Sequence, residues 1–185
     1  RREGSILEMG KAEQGTDTYQ AGKGDHETGL FNKKYTSLQH GSKDGNIGMF
    51  VQMYNWNNAD MELMHAQDFI YMRYADVLLM HSEITKTATG LTAVRARAGL
   101  PAVGYSLDAI KTERMYEFAF EGLHWFDMVR WGDVNTAFNE TVNVKNYGKD
   151  AVYKVTYRTE TKGLVPIPEG EIRLSNGVYT QNPGW

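Results

Sequence analysis

Glu113, Glu117 and Glu121 recur at intervals of four, and His124 follows the last of them by three positions. On a helix this spacing places the three carboxylates on one face, where like charges repel unless something neutralises them. Three readings fit such a stripe. The first is a carboxylate-bridged di-metal centre, because Glu121-Gly-Leu-His124 projects two ligands from one helix. That centre needs a second pair of the same kind and two further glutamates, and His81 and Glu83 stand at the wrong interval to supply it. The second is a glycosidase, with one carboxylate as acid and another as nucleophile or base across a scissile bond. The third is a buried or half-buried charge network of Glu113, Glu117, Glu121 and Asp127 with Arg95, Arg97, Arg114 and Arg130, in which each carboxylate meets a guanidinium. Phe118, Phe120 and Phe126 run through the same stretch, so arginines rather than substrate are the expected partners.

The chain that must position these residues has 185 of them, enough for one ordinary domain with a sizeable core. With 41 % hydrophobic and 23 % charged residues it reads as globular, and 19 glycines mark it as rich in loops. A net charge of -3 and scattered basic residues give no reason to expect a nucleic-acid partner. There is no cysteine, which excludes disulfides, thiol catalysis and cysteine-ligated zinc or iron-sulfur centres; no cofactor is expected. No apolar run approaches the roughly 20 residues that span a bilayer. The chain starts at Arg1 without a signal-peptide pattern or a lipidation site, so the expectation is that the authentic N-terminus lies upstream.

Residues 1–66 are polar and broken by glycine, which predicts long loops with short strands at Leu30–Tyr35 and Ile47–Gln52. Residues 67–132 form the helical core. Its first helix is predicted over Gln67–Thr85, with Ile70, Tyr74, Val77 or Leu78, and Ile84 on the buried face and Arg73, Asp76 and Glu83 on another. A second helix over Leu91–Ala98 closes at Gly99 with Pro101 beyond it, and the brief link makes the two an antiparallel pair. A third runs from Ser106 or Asp108 to Trp131 on an apolar stripe of Ile110, Met115, Phe118, Ala119, Leu123 and Phe126. Residues 133–185 carry a loop, a small β-hairpin whose alternating strand is AVYKVTYRTETKG, an extended LVPIP, a helical turn at EGEIRL, and a turn-rich QNPGW. The fold class is mostly α, with helix pairs, extensive loops and a small hairpin.

Several stretches together carry a family resemblance. Arg73-Tyr-Ala-Asp-Val-Leu-Leu-Met80, Val94-Arg-Ala-Arg-Ala-Gly-Leu-Pro101, Glu113-Arg114 with Glu117-Phe-Ala-Phe-Glu-Gly122, Phe126-Asp-Met-Val-Arg-Trp-Gly132, and Pro166-Ile-Pro168 with Gln181-Asn-Pro-Gly184 follow one another in the order of the C-terminal region of the SusD/RagB family, which the chain resembles from Gln67 to Trp185. The resemblance implies tetratricopeptide-like helix pairs and the C-terminal part of a single SusD-like domain. It also implies a lipid-anchored protein on the cell-surface side of the outer membrane, part of a TonB-dependent polysaccharide or oligosaccharide uptake system. Such a protein binds glycan without cleaving it, and its partner is a SusC-like transporter. The chain departs from the family pattern at His124, where arginine is usual, at Thr92, where asparagine commonly precedes Val-Arg, and in a short link between Glu83 and Val94.

Family motifs carry no ligand residues over to this sequence. Sugar recognition needs an aromatic face for the apolar side of the ring and planar polar groups for the hydroxyls. Tyr54, Asn55, Trp56 and Asn57 supply both within four residues and are the candidate ligand site; the alternative is a surface loop whose Trp56 packs onto the helices. The functional expectation is a glycan-binding component. A helical protein- or peptide-interaction module for another nutrient is the alternative, and a carboxylate glycosidase or metalloprotein comes last.

Overall fold

The computed structural model describes residues 2–8, 25–32, 34 and 70–185. The predicted strand over 47–52 and the candidate ligand residues Tyr54, Asn55, Trp56 and Asn57 lie outside these. The described chain is mostly helical. It divides into two compact units, residues 1–124 with 145–149, and residues 125–144 with 150–185.

The first unit opens with a helical turn, α1 (Arg2–Ser5), and a short antiparallel ribbon of β1 (Ile6–Glu8) and β2 (Leu30–Asn32) in which Leu7 faces Phe31 in register. Its core is built by α2 (Tyr74–Thr85), α3 (Thr89–Arg97) and α4 (Leu107–Glu117). Ala75, Leu79, Leu91, Val94, Ile110 and Phe118 form one buried cluster. In α4 the buried positions Ile110, Glu113, Arg114 and Glu117 follow the i, i+3, i+4, i+7 rule of a helix with one face inward.

Helix boundaries follow local chemistry. Ser106 caps α4, its hydroxyl accepting from the Ala109 N–H at 3.0 Å. At the end of α3 the Leu100 N–H donates to the Arg95 carbonyl and the Gly99 N–H to the Ala96 carbonyl, with Gly99 at φ +69°. This is the Schellman closure that a glycine after the last turn makes available. The α2–α3 pair is antiparallel, since Arg97 at the end of α3 shares a groove with Arg73 and Tyr74 at the start of α2. The two backbones meet at Gly90, where a Cβ would stand 2.0 Å from the Leu78 carbonyl oxygen. Beside it the buried Ser82 hydroxyl accepts from the Leu91 N–H at 3.0 Å, satisfying a donor that the first turn of α3 leaves open.

Three helix expectations are corrected. Helix α2 begins at Tyr74, and residues 70–73 are not helical, because Arg73 is extended and turns its side chain to another part of the chain. Its buried residues are Ala75, Asp76, Leu79 and Ser82, while Tyr74 and Ile84 stand 74 % and 80 % exposed. The reason is that Asp76 and Ser82 find buried polar partners, so polarity does not mark the outer face here. The third helix is not continuous to Trp131. It stops at Glu117, passes through Phe120 and Gly122 at positive φ, and resumes as α5 (His124–Trp131). Phe126, beyond the break, is exposed, and so is Met115, which lies off the buried face of α4.

The second unit holds most of α5, a short α6 (Val134–Ala137), and the hairpin of β3 (Asn139–Asn146) and β4 (Lys149–Thr156), whose tip 145–149 groups with the first unit. Tyr147 and Gly148 both take positive φ at the turn, as a two-residue hairpin loop of the primed type requires. Strand β4 ends at Thr156, short of the expected Gly163, because Thr159–Thr161 coil into a 3-10 turn. The EGEIRL turn is α7 (Glu169–Leu174). The tail is fastened by side chains. Gln181 accepts from the Ile167 N–H and donates to its carbonyl, Asn182 donates to the Val165 carbonyl at 2.7 Å, and the Trp185 indole donates to the Leu164 carbonyl at 2.9 Å. Among the described residues no helix is long and apolar enough to cross a membrane.

Candidate functional site

The break at Glu117 is made by long-range cations. A helix ends with carbonyls that lack partners and with a partial negative charge. At Glu117 that carbonyl accepts from Lys34 Nζ at 2.6 Å and from Arg73 Nη2 at 2.9 Å. The same two cations bind the carboxylates. Arg73 donates through Nη1 to Glu117 Oε1 at 2.5 Å and through Nε to Glu121 Oε2 at 2.7 Å, and Lys34 Nζ reaches Glu121 Oε1 at 2.6 Å. Arg97 adds a bond from Nη2 to Glu117 Oε1 at 2.6 Å.

The neighbouring pairs extend this pattern. Arg95 Nη1 meets Glu113 Oε2 at 2.9 Å, and its Nε holds the Pro101 carbonyl. Arg114 Nη1 meets Asp76 Oδ1 at 2.6 Å, both side chains buried. The Phe118 ring lies under two guanidinium groups, Arg73 at 4.6 Å and Arg114 at 5.0 Å from its centroid, so the break is also held by cation-π contact. In the second unit Arg130 pairs with Asp127 at 2.9 Å, three residues before it, and lies over the Trp131 ring. Lys34 and Arg73 were not among the network cations read from the sequence. The spacing expects Arg73 on a helix face, and nothing local in the sequence marks that it is extended just before Tyr74 and turned to the glutamates.

Burial opposes ionisation of Glu121, but hydrogen bonds from Arg73 and Lys34 and their charges outweigh it and hold the carboxyl below its ordinary value. Burial likewise opposes the charge of Arg73, and Glu121 and Glu117 more than compensate. A carboxyl kept ionised, with both oxygens accepting from cations, is a poor proton donor to a glycosidic oxygen. Glu121 lies in the loop and His124 opens α5, so the Glu-x-x-His spacing does not fall on one helix. The same spacing occurs from Glu62 to His65, outside the described residues. Among the described residues no group of three or more His, Asp or Glu is placed to hold a metal ion.

The depressed Glu121 value makes a pH prediction. Its folded value lies below the ordinary 4.5, so the contribution to stability is complete above about pH 4.5 and is lost as pH falls through the lower folded value. Urea midpoints measured from pH 7 to pH 3 should show Glu121→Gln less stable than the parent at neutral pH. The difference should narrow in the acid. A difference that stays constant down to pH 3 would rule out the ion pair as its source.

A cleft of about 410 Å³ opens beside these groups, with buried Glu117 and Glu121 and half-buried Arg73 and Lys34 as its floor and Ser5, Arg97 and Tyr116 at its edge. The second unit has its own cleft, about 380 Å³, lined by Trp125, Phe138, Tyr157 and Trp185 among others. Trp125 meets Phe138 edge to face at 5.3 Å, and Arg158 covers the Trp185 ring at 4.6 Å.

The model of the SusD family matches residues 1–185. The chain belongs to the SusD family. Two solved structures of a surface glycan-binding protein A from Bacteroides thetaiotaomicron are similar to this SusD-family chain. One is 28 % identical with a TM-score of 0.59 and the other, a complex with laminarihexaose, 27 % identical with a TM-score of 0.60. Each match covers 84 % of this chain but only 30 % and 31 % of those proteins, so the chain spans less than a third of their length. A SusD-like protein from Bacteroides fragilis, 20 % identical over 98 % of this chain and 38 % of its own, has the same fold with a TM-score of 0.50. No curated protein gives a significant match.

Proposed function

We propose that the chain is the C-terminal part of a single SusD-like domain that captures glycan at the cell surface and does not cleave it. It serves a TonB-dependent uptake system of the outer membrane, with a SusC-like transporter as partner and a lipid anchor as its membrane contact. The observation that carries this reading is membership of the SusD family together with likeness to a surface glycan-binding protein, one structure of which holds laminarihexaose. The cations held on Glu117 Oε1 and on both oxygens of Glu121 support the non-catalytic part, since these carboxylates of the stripe are committed to ion pairs.

The ligand residues in this proposal are Tyr54, Asn55, Trp56 and Asn57, on the chemistry of an aromatic face beside amides. Affinity electrophoresis of the full chain through gels containing laminarin tests both parts. Retardation without release of reducing sugar is the expected result. Trp56→Ala should weaken retention about tenfold, the equivalent of ~1.4 kcal/mol of lost stacking. Retention that survives the substitution would move the site elsewhere, and hydrolysis lost on changing Glu117 or Glu121 would replace the binding reading by a catalytic one.

A further inference from the structure

The cleft beside the charge network is uneven in what it has left to offer. Three of its carboxylate oxygens are engaged by cations: Glu117 Oε1 takes bonds from Arg73 and Arg97, Glu121 Oε1 from Lys34 and Arg73, and Glu121 Oε2 from Arg73. Its donors are less committed. Arg97 is 66 % exposed at the side chain and uses one hydrogen bond, from Nη2 to Glu117, out of the five N–H groups of a guanidinium. Ser5 also lines the cleft and brings a hydroxyl that can donate or accept. Tyr116, half exposed on the same cleft, adds a second hydroxyl and an aromatic face.

Charge points the same way as donor count. Lys34, Arg73 and Arg97 face the cleft against Glu117 and Glu121, so the lining carries one positive charge more than it neutralises. A neutral sugar offers hydroxyls that both donate and accept, and its donors would find three of the carboxylate oxygens already engaged. A ligand that brings acceptors and negative charge fits better, because a guanidinium fork matches a planar carboxylate or the oxygens of a sulfate ester. The volume, about 410 Å³, is that of a small-ligand site.

We infer that this cleft binds an anionic sugar unit, one carrying a carboxylate or a sulfate ester, with the acidic group on Arg97, ring hydroxyls on Ser5 and the tyrosine hydroxyl, and an apolar ring face on Tyr116. This rests on the glycan-binding reading and adds a class of ligand to it. The site is separate in sequence from Tyr54–Asn57, so a chain carrying both would hold two different parts of one acidic polysaccharide.

Isothermal titration of the full chain with glucuronate, glucose 6-sulfate, glucose and inorganic sulfate tests the inference, with laminarihexaose run alongside. Saturable binding of glucuronate or of the sulfated sugar, with glucose bound at least about tenfold more weakly, is expected, and which of the two binds identifies the acidic group. Arg97→Gln should weaken that binding by about tenfold or more and leave laminarihexaose unchanged. Glu117 keeps Arg73 in this variant, and its melting curve checks that it folds. Tyr116→Phe and Ser5→Ala, each removing one hydroxyl, should weaken binding severalfold and carry the test if Arg97→Gln does not fold. Laminarihexaose bound with neither acidic sugar bound would overturn the inference while leaving the glycan-binding reading intact. Inorganic sulfate bound as tightly as the acidic sugars, or acidic-sugar binding indifferent to every one of the three variants, would overturn it as well. Failure of all the sugars would take both readings down.

Discussion

Arg73→Met should destabilise the first unit by about 3–5 kcal/mol, the cost of removing one partner from a buried ion pair and leaving the other charge uncompensated. The size follows from what the guanidinium does. It donates to Glu117 Oε1, to both oxygens of Glu121 and to the Glu117 carbonyl, and it stacks on Phe118. Methionine keeps a flexible apolar stem over the ring but supplies no donor. Two nearly buried carboxylates would then share Lys34 and Arg97, and the end of α4 would lose one of its two cations. Against a typical total stability of roughly 5–15 kcal/mol this is a large fraction. Urea unfolding followed by far-ultraviolet circular dichroism reads it directly. Arg73→Lys should recover part of the loss, since one ammonium cannot reproduce the fork that spans both glutamates. An Arg73→Met midpoint equal to that of the parent would mean that the pairs contribute nothing net.

Gly90→Val should be at least as damaging, about 3 kcal/mol or more, because overpacking is relieved only when the neighbour can move. Here the neighbour is the Leu78 carbonyl, 2.0 Å from where a Cβ would sit, with its carbon at 2.7 Å and the Ser82 hydroxyl at 2.9 Å. No rotamer change moves a backbone carbonyl inside a helix. Helix α3 would have to lift away from α2, breaking the Ser82 bond to the Leu91 N–H and opening the Leu79, Leu91 and Val94 cluster. Gly99→Val probes a contrasting cause, since its Cβ would meet nothing within 4 Å and only its φ of +69° resists a side chain. A thermal melt showing Gly90→Val to be milder than Gly99→Val would contradict this account of the helix contact.

The contrast between these two glycines also explains what could be read from the residues alone. Gly99 was legible as a helix stop because its role is local: a turn of helix before it, a proline two positions after it, and a backbone conformation that glycine favours. Ser106 and the EGEIRL turn were legible for the same reason. Gly90 was not, because its constraint comes from a carbonyl in a different helix. The end of α4 at Glu117 was hidden in the same way. Periodicity runs on through Phe118, Ala119, Leu123 and Phe126, and nothing nearby in sequence announces that Arg73, 44 residues earlier, binds the last carbonyl. The face of α2 was misread because Asp76 and Ser82 count as polar, although each is buried against a partner, Arg114 or the Leu91 N–H, that the helix's own sequence does not contain. The glutamate stripe gave its residue types and invited arginine partners; distance decided which cation meets which carboxylate.

The fastened tail bears on how this protein stays apart from its neighbours. An extended run such as Leu164-Val-Pro-Ile-Pro168 is apolar and exposes main-chain groups of the sort that can recruit a strand from another molecule. Here Pro166 and Pro168 have no N–H to offer. The carbonyls of Leu164, Val165 and Ile167 and the N–H of Ile167 are already engaged by Trp185, Asn182 and Gln181. Side chains of the tail thus take up main-chain groups that a borrowed strand would need, which disfavours edge-to-edge association. That guards against association through this edge without adding a residue to the core.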